Sequence, residues 1–170
     1  MGIGILSGTR VIIGDSETRS LCKERGFGED GAGRAELSLI EALFLLESEN
    51  LEVTDGKKKL GFDDLLKIGA ASEENFYAKY KVYSDMRGRG LLVRTGFKFG
   101  ADFRVYERGS SVGRGHSNRL VHVVPEEYTC SFPDISRAVR LSGNVKKEMI
   151  YAIVDEEGDI TYYLIDRVKM

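Results

Sequence analysis

The run 93–117, VRTGFKFGADFRVYERGSSVGRGHS, places Tyr106 at the end of a strand-like stretch and His116 on the far side of a glycine-rich loop. A lysine pair, Lys146-Lys147, follows one element later. Base, acid and cation are what a metal-free enzyme needs to break an RNA phosphodiester with the RNA's own 2′-hydroxyl. One group takes the 2′-OH proton, a second protonates the departing 5′-oxygen, and a positive charge stabilises the phosphorane. Imidazole, with a pKa near ~6.5, exchanges protons at neutral pH. A phenol, near ~10, is a poor base unless neighbouring cations lower it, and Arg104, Arg108, Lys146 and Lys147 are the candidate sources of that field. Lysine is a compact cation suited to a non-bridging phosphate oxygen.

Taken singly, each residue has an ordinary structural reading. Tyr106 alternates with Phe103 and Val105 and suits the solvated face of a strand. His116 follows Gly113-Arg114-Gly115 and suits a surface loop, while Lys147 suits a helix end or strand start. His122, inside RLVHVV, shares a face with Leu120 and Val124 and is expected to be packed. Only the joint pattern points to chemistry.

The elements around these residues read as follows. Residues 2–14 suggest one short strand, 26–34 a glycine-rich loop, and 35–49 an amphipathic helix with Leu39, Leu43 and Leu46 on one face. A strand at 51–53, a turn at Asp55-Gly56 and a short helix over about 62–68 complete a small α/β module, expected to serve as scaffold or in assembly. The boundary is placed near Gly69-Ala70-Ala71-Ser72, giving an N-terminal domain 1–72 and a C-terminal domain 73–170. The second domain reads as a helix over 73–86, two strands within 91–107 around Gly96 and Gly100, a strand at 119–124, and a short helix at 134–141. A strand at 149–154, apolar enough to be central, and a last strand at 160–168 end it. The fold class is therefore α/β in the broad sense (α+β), a mixed sheet flanked by helices following the small module.

Composition sets limits. Hydrophobic residues are 42% and charged residues 31% of the 170-residue chain, as in a globular protein with one good core or two small ones. No apolar run approaches the ~20 residues of a membrane span. MGIGILSGTR lacks a signal-peptide n-region, and Leu6 stands where a myristoylation signal has Ser or Thr, so a cytoplasmic protein is expected. Cys22 and Cys130 are expected as buried or partly buried thiols, and with only His116 and His122 beside them no zinc site is expected. Residues 1–72 hold nine basic and 13 acidic side chains, whereas 87–119 hold eight basic ones against only Asp102 and Glu107. A local basic surface on an otherwise acidic chain suits a polyanion at one place.

The motif YxxYxDxRxRGLxVRTGFKFGADFRVYERG, then His116-Ser117 opening a valine-rich strand, then VKKEMIYAIVDEEGDITYY, closely resembles the archaeal tRNA-splicing endonucleases of the tRNA-intron endonuclease family. The likeness covers most of 76–167, and LSLIEALFLLE at 37–47 extends it into the N-terminal module. The resemblance implies a restriction-endonuclease-like C-terminal domain. It implies a triad of Tyr106 as general base, His116 as general acid and Lys147 as the transition-state cation, Lys147 being chosen over Lys146 by its placement before AIVD. Neither metal nor other cofactor is implied. The products would be a 2′,3′-cyclic phosphate and a 5′-hydroxyl, and the substrate precursor tRNA with a bulge–helix–bulge at each intron junction. Members of the family grip a flipped bulge base between two arginines, which map to Arg140 and, less closely, to Arg167.

A chain this short is similar to the single-repeat form of the family, which works as a tetramer. The last strand would leave an open edge unless paired. The acidic turn of Asp155, Glu156, Glu157 and Asp159 resembles the family's loop that docks into a neighbouring subunit. A homotetramer, a dimer of dimers, is expected, with a subunit of a heteromeric enzyme as the alternative. A metal-dependent DNA nuclease on the same fold is the remaining reading. It would need clustered carboxylates, and Asp102 and Glu148 are offered with Lys147-Glu148 in the wrong order for Asp…Glu-x-Lys.

Overall fold

A computed structural model describes residues 1–110 and 116–170, so Gly113-Arg114-Gly115 of the glycine-rich loop lies outside the described residues. The chain forms two compact units, Met1–Tyr80 and Lys81–Met170. Among the described residues it is α+β, with two mixed sheets and five α-helices.

In the first unit β1 (Gly2–Ser7) and β2 (Arg10–Ile13) form a hairpin turned by Gly8 at φ 60°, where the expectation was one short strand. Helix α1 (Ser16–Arg25) follows, then β3 (Glu29–Gly31), β4 (Arg34–Ser38), α2 (Leu39–Glu47), β5 (Leu51–Thr54), β6 (Lys59–Leu60) and α3 (Phe62–Ser72). The sheet order is β3-β4-β2-β1-β5-β6, with only β1 and β5 parallel. Residues 35–38 are strand rather than the start of a helix. Ala35 and Leu37 alternate inward, and the helix begins where Ser38 and Glu41 close a capping box, each side chain bonding the other's backbone N–H. Likewise 26–34 is not wholly loop, since β3 pairs with β4 inside it. Val11, Ile13, Leu37, Leu43, Val53 and Leu65 form the core of this unit.

In the second unit the latter part of α4 (Phe76–Gly88) leads to β7 (Leu92–Thr95), a single 3-10 turn (Phe97–Phe99), β8 (Phe103–Tyr106), β9 (Arg119–Pro125), α5 (Phe132–Asn144), β10 (Glu148–Val154) and β11 (Ile160–Ile165). The order is β11-β10-β9-β8-β7, all antiparallel except β9 with β10. Parallel neighbours need a crossover, and α5 supplies it. Ala138 and Val145, at the α5 side of the sheet, pack on Ala101, Leu120, Val124, Met149 and Tyr151. The opposite face buries Val105, Val121, Val123 and Ala152, and Tyr83 of α4 meets Phe103 there at 5.8 Å. Covered on both faces, β9 and β10 carry near-continuous apolar sequence. His122 packs 5.3 Å from the Tyr151 ring, and burial pulls its pKa below the ordinary value despite the opposing pull of Asp102.

Two polar anchors fix the frame. Asp85 of α4 accepts from Tyr162 of β11 (2.7 Å) and from Arg89 (2.8 Å), tying helix to edge strand. Burial, then the Asp85 bond, push the Tyr162 phenol well above its usual range. Asp102 accepts from the Val123 backbone N–H at 2.7 Å and holds the turn before β8 against β9. Cys22 is buried, with its thiol pushed up to about 11 chiefly by burial. Cys130 is exposed, contrary to expectation, because it lies in the surface segment between β9 and α5.

The loop joining β7 to β8 closes tightly on Gly96. Its N–H bonds Asp102 O at 3.0 Å, and an added Cβ would fall 2.8 to 2.9 Å from backbone atoms of Phe103 and Ala101. Backbone cannot yield as a side-chain tip can. Gly96→Ala is expected to destabilise the second unit by about 1–3 kcal/mol, the usual scale of overpacking. Urea unfolding monitored at Tyr83 and Phe103 checks this, and an unchanged midpoint would contradict the packing described.

Candidate active site

The parallel register of β9 with β10 sets Glu148 beside Arg119, and the Glu148 N–H bonds Asn118 O at 2.8 Å. The residues just before each strand, Asn118 and Lys147, are thereby neighbours although far apart in sequence. The Lys147 ammonium donates to the Ser117 carbonyl at 2.5 Å. Ser117 is buried and follows His116, which is exposed. Lys147 is therefore held one peptide unit from His116.

Lys147 also lies 5.3 Å from the centroid of the Phe99 ring. Arg104 is near the same ring, its guanidinium carbon 6.0 Å from the centroid of Phe99 and 6.0 Å from that of Tyr106. Arg104 and Tyr106 are two apart on β8 and so share a face. Thus contacts run unbroken from Tyr106 through Arg104 and Phe99 to Lys147 and Ser117, the residue after His116, while no described contact is made by the His116 ring itself. Cation–π attraction favours each step across the rings. Burial, then the nearby Arg104 charge, lower the Lys147 pKa from its usual value.

Lys146 differs from its neighbour. It is exposed, in the left-handed region at φ 56°, where the chain leaves α5. Arg140 is exposed on α5 and reaches Ser136 at 3.5 Å, and Arg167 lies exposed beyond β11. No described contact joins either arginine to the Tyr106–Lys147 cluster. The acidic turn is ordered by its own backbone. Asp155 N–H bonds Asp159 O, Asp159 N–H bonds the Asp155 carboxylate at 2.8 Å, and Gly158 adopts φ 85°. Glu156, Glu157 and Asp159 are exposed.

Much of the basic stretch 87–119 is spoken for. Arg89 pairs with Asp85, Arg119 with Glu148 at 2.9 Å, and Arg108 donates to Arg89 O. The two carboxylates weighed for a metal are engaged as well, Asp102 with the Val123 N–H and Glu148 with Arg119. The sequence reading passed over Phe99 and the Ser117 carbonyl. Phe99 could have been suspected, since KFGADFRVY brings an aromatic and two cations within a few residues of a turn. A backbone carbonyl leaves no mark in sequence.

Residues 76–162 match the family described as tRNA intron endonuclease, catalytic C-terminal domain, and residues 2–66 match tRNA intron endonuclease, N-terminal domain. This chain belongs to the tRNA intron endonuclease family. Archaeal relatives agree along nearly the whole length. A tRNA-splicing endonuclease of Thermococcus kodakarensis is 46% identical over 170 residues, covering 99% of both chains. That of Thermococcus gammatolerans is 45% identical over 165 residues, 96% of each. That of Methanothermobacter thermautotrophicus is 40% identical over 154 residues, 91% of this chain and 89% of its own. The protein is a member of an enzyme family, and Tyr106, His116, Lys147, Arg140 and the acidic turn all fall inside the match to its catalytic domain, whereas Arg167 falls outside. No helix among the described residues is long and apolar enough to cross a membrane.

In this endonuclease the Lys147 ammonium should titrate below the lysine norm. NMR observation of the Lys147 side chain across alkaline pH checks this. Arg104→Gln should move its titration upward in part, since a like charge leaves while the burial stays. An identical titration in the variant would show that the two cations do not sense each other.

Proposed function

We propose that the protein cuts precursor tRNA at the bulge–helix–bulge junctions of its intron, by attack of the 2′-oxygen on the adjacent phosphorus. The Tyr106 phenolic oxygen takes the 2′-OH proton as the 2′-O–P bond forms. His116 delivers a proton to the 5′-oxygen as the P–O5′ bond breaks. The Lys147 ammonium faces a non-bridging oxygen whose charge grows in the phosphorane. Atoms balance with no other reactant, leaving a 2′,3′-cyclic phosphate and a 5′-hydroxyl, and no step calls for a metal. The observation that carries this reading is the tether of Lys147 to Ser117 O beside His116, continuous through Phe99 and Arg104 with Tyr106. It favours Lys147 over Lys146 as the cation.

The remaining roles follow the same reading. Arg140, with Arg167 as the weaker candidate, holds a flipped bulge base by stacking. Residues 1–72 act as scaffold to a catalytic part, 73–170. The working form is a homotetramer, a dimer of dimers, since two junctions must be cut. β11 supports this as a sheet edge that exposes Tyr163 and Leu164 by 52% and 57%. The exposed Glu156, Glu157 and Asp159 suit docking on a basic surface of another copy.

The decisive test incubates pure protein with an intron-containing tRNA precursor in chelator and identifies the ends. Cyclic phosphate and 5′-hydroxyl are expected. A strict need for magnesium would overturn the mechanism, and cleavage only after another chain is added would make this a subunit of a heteromeric enzyme. His116→Ala and Lys147→Ala should each slow cleavage by roughly 10²-fold or more with RNA binding largely kept, and unaltered rates would remove the assignment. Charge reversal at Asp155, Glu157 and Asp159 should lower the particle mass in light scattering. An unchanged tetramer would count against docking through this turn.

A further inference from the structure

Arg104 is oddly placed for a structural arginine. Its side chain rises from β8 on the same face as Tyr106, with its guanidinium carbon 6.0 Å from the ring centroids of both Tyr106 and Phe99. Its Nε is buried and, among the described residues, has no hydrogen-bond acceptor. No carboxylate pairs with it there either, although Arg89, Arg119 and Arg137 each have one. Lys147 lies 5.3 Å from the centroid of the same Phe99 ring, close enough for Arg104 to lower its pKa. Arg94 stands directly opposite Arg104 in the β7–β8 register. A buried N–H without an acceptor costs free energy, and that cost falls when an anion accepts from it.

We propose that Arg104 is a second cation of the catalytic centre, contacting a non-bridging oxygen of the scissile phosphate that Lys147 does not hold. This rests on the function proposed above and adds a residue to its machinery. The phosphorane carries charge on two non-bridging oxygens, and a single ammonium serves one. The guanidinium presents a planar fork of donors that fits phosphate oxygens, and the rings of Tyr106 and Phe99 lie at cation–π distance from it. In the same position its charge lies against the ring of the proposed base.

The test is single-turnover cleavage of a bulge–helix–bulge RNA at saturating enzyme. Arg104→Ala is expected to slow cleavage by roughly 10²-fold, the scale of one lost transition-state donor, with the RNA dissociation constant little changed. Guanidinium chloride at tens of millimolar should restore the Arg104→Ala rate about tenfold and leave His116→Ala as slow as before. Arg104→Met keeps the aliphatic stem near the rings. It should melt like the wild type yet cleave as slowly as the alanine variant. A wild-type rate in either variant, or a folded alanine variant that guanidinium does not revive, overturns the proposal. Absence of cleavage by the wild-type protein itself would instead overturn the function on which the proposal rests.

Discussion

One backbone constraint organises the second unit: β9 and β10 run parallel and in a register that sets Arg119 beside Glu148. Parallel strands cannot be joined by a tight turn, so α5 must cross over the sheet and deliver the chain to the start of β10. The same register brings the entrances of both strands together. The loop ending at His116-Ser117 and the α5 exit at Lys146-Lys147 meet there, and the Lys147 ammonium closes the junction on the Ser117 carbonyl. A one-residue slip would turn every side chain to the other face and part the two. The apolar residues of β9 and β10, buried on both sides, make such a slip costly, because each fully buried aliphatic side chain contributes about 1.5–3 kcal/mol. Leu120 and Met149, almost wholly inaccessible, hold the register that places Lys147.

Electrostatics is the second theme. The basic stretch looks uniform along the chain, but folding sorts it. Arg89 and Arg119 find carboxylates, and Arg108 a carbonyl. Arg104 and Lys147 both lie by Phe99, with aromatic rings instead of counter-ions. Rings attract cations without neutralising them. The result is concentrated positive charge beside Tyr106 and near His116, which an arriving phosphate could satisfy.

The sequence made some of this legible and hid the rest for physical reasons. Alternation of Phe103 and Val105 with Arg104 and Tyr106 revealed β8 and its faces. The unbroken apolar run 149–154 revealed a central strand. The helix placed over 35–49 was misjudged at its start, because Leu37 continues a strand alternation that happens to fit helical spacing. Ser38 and Glu41, three apart, were the signal for the true beginning. Helix α1 was missed since it buries only Cys22 and so lacks an apolar stripe. Asp15 at its N-cap and Gly26 at its C-cap mark both ends. At the site the residue types could be named from sequence, but the Phe99 ring near two cations and the carbonyl that holds Lys147 arise only when strands pair.

The central claim is spatial: phenol, imidazole and ammonium reach one ribose–phosphate linkage. A crystal structure of the protein with a bulge–helix–bulge RNA carrying a 2′-deoxy nucleotide at the cleavage position tests it most directly. The account predicts Tyr106 Oη near the sugar C2′, a His116 ring nitrogen within hydrogen-bond reach of the 5′-oxygen, and Lys147 Nζ on a non-bridging oxygen of the same phosphate. A scissile phosphate bound elsewhere, with His116 turned to solvent and Lys147 still closed on Ser117, would contradict it.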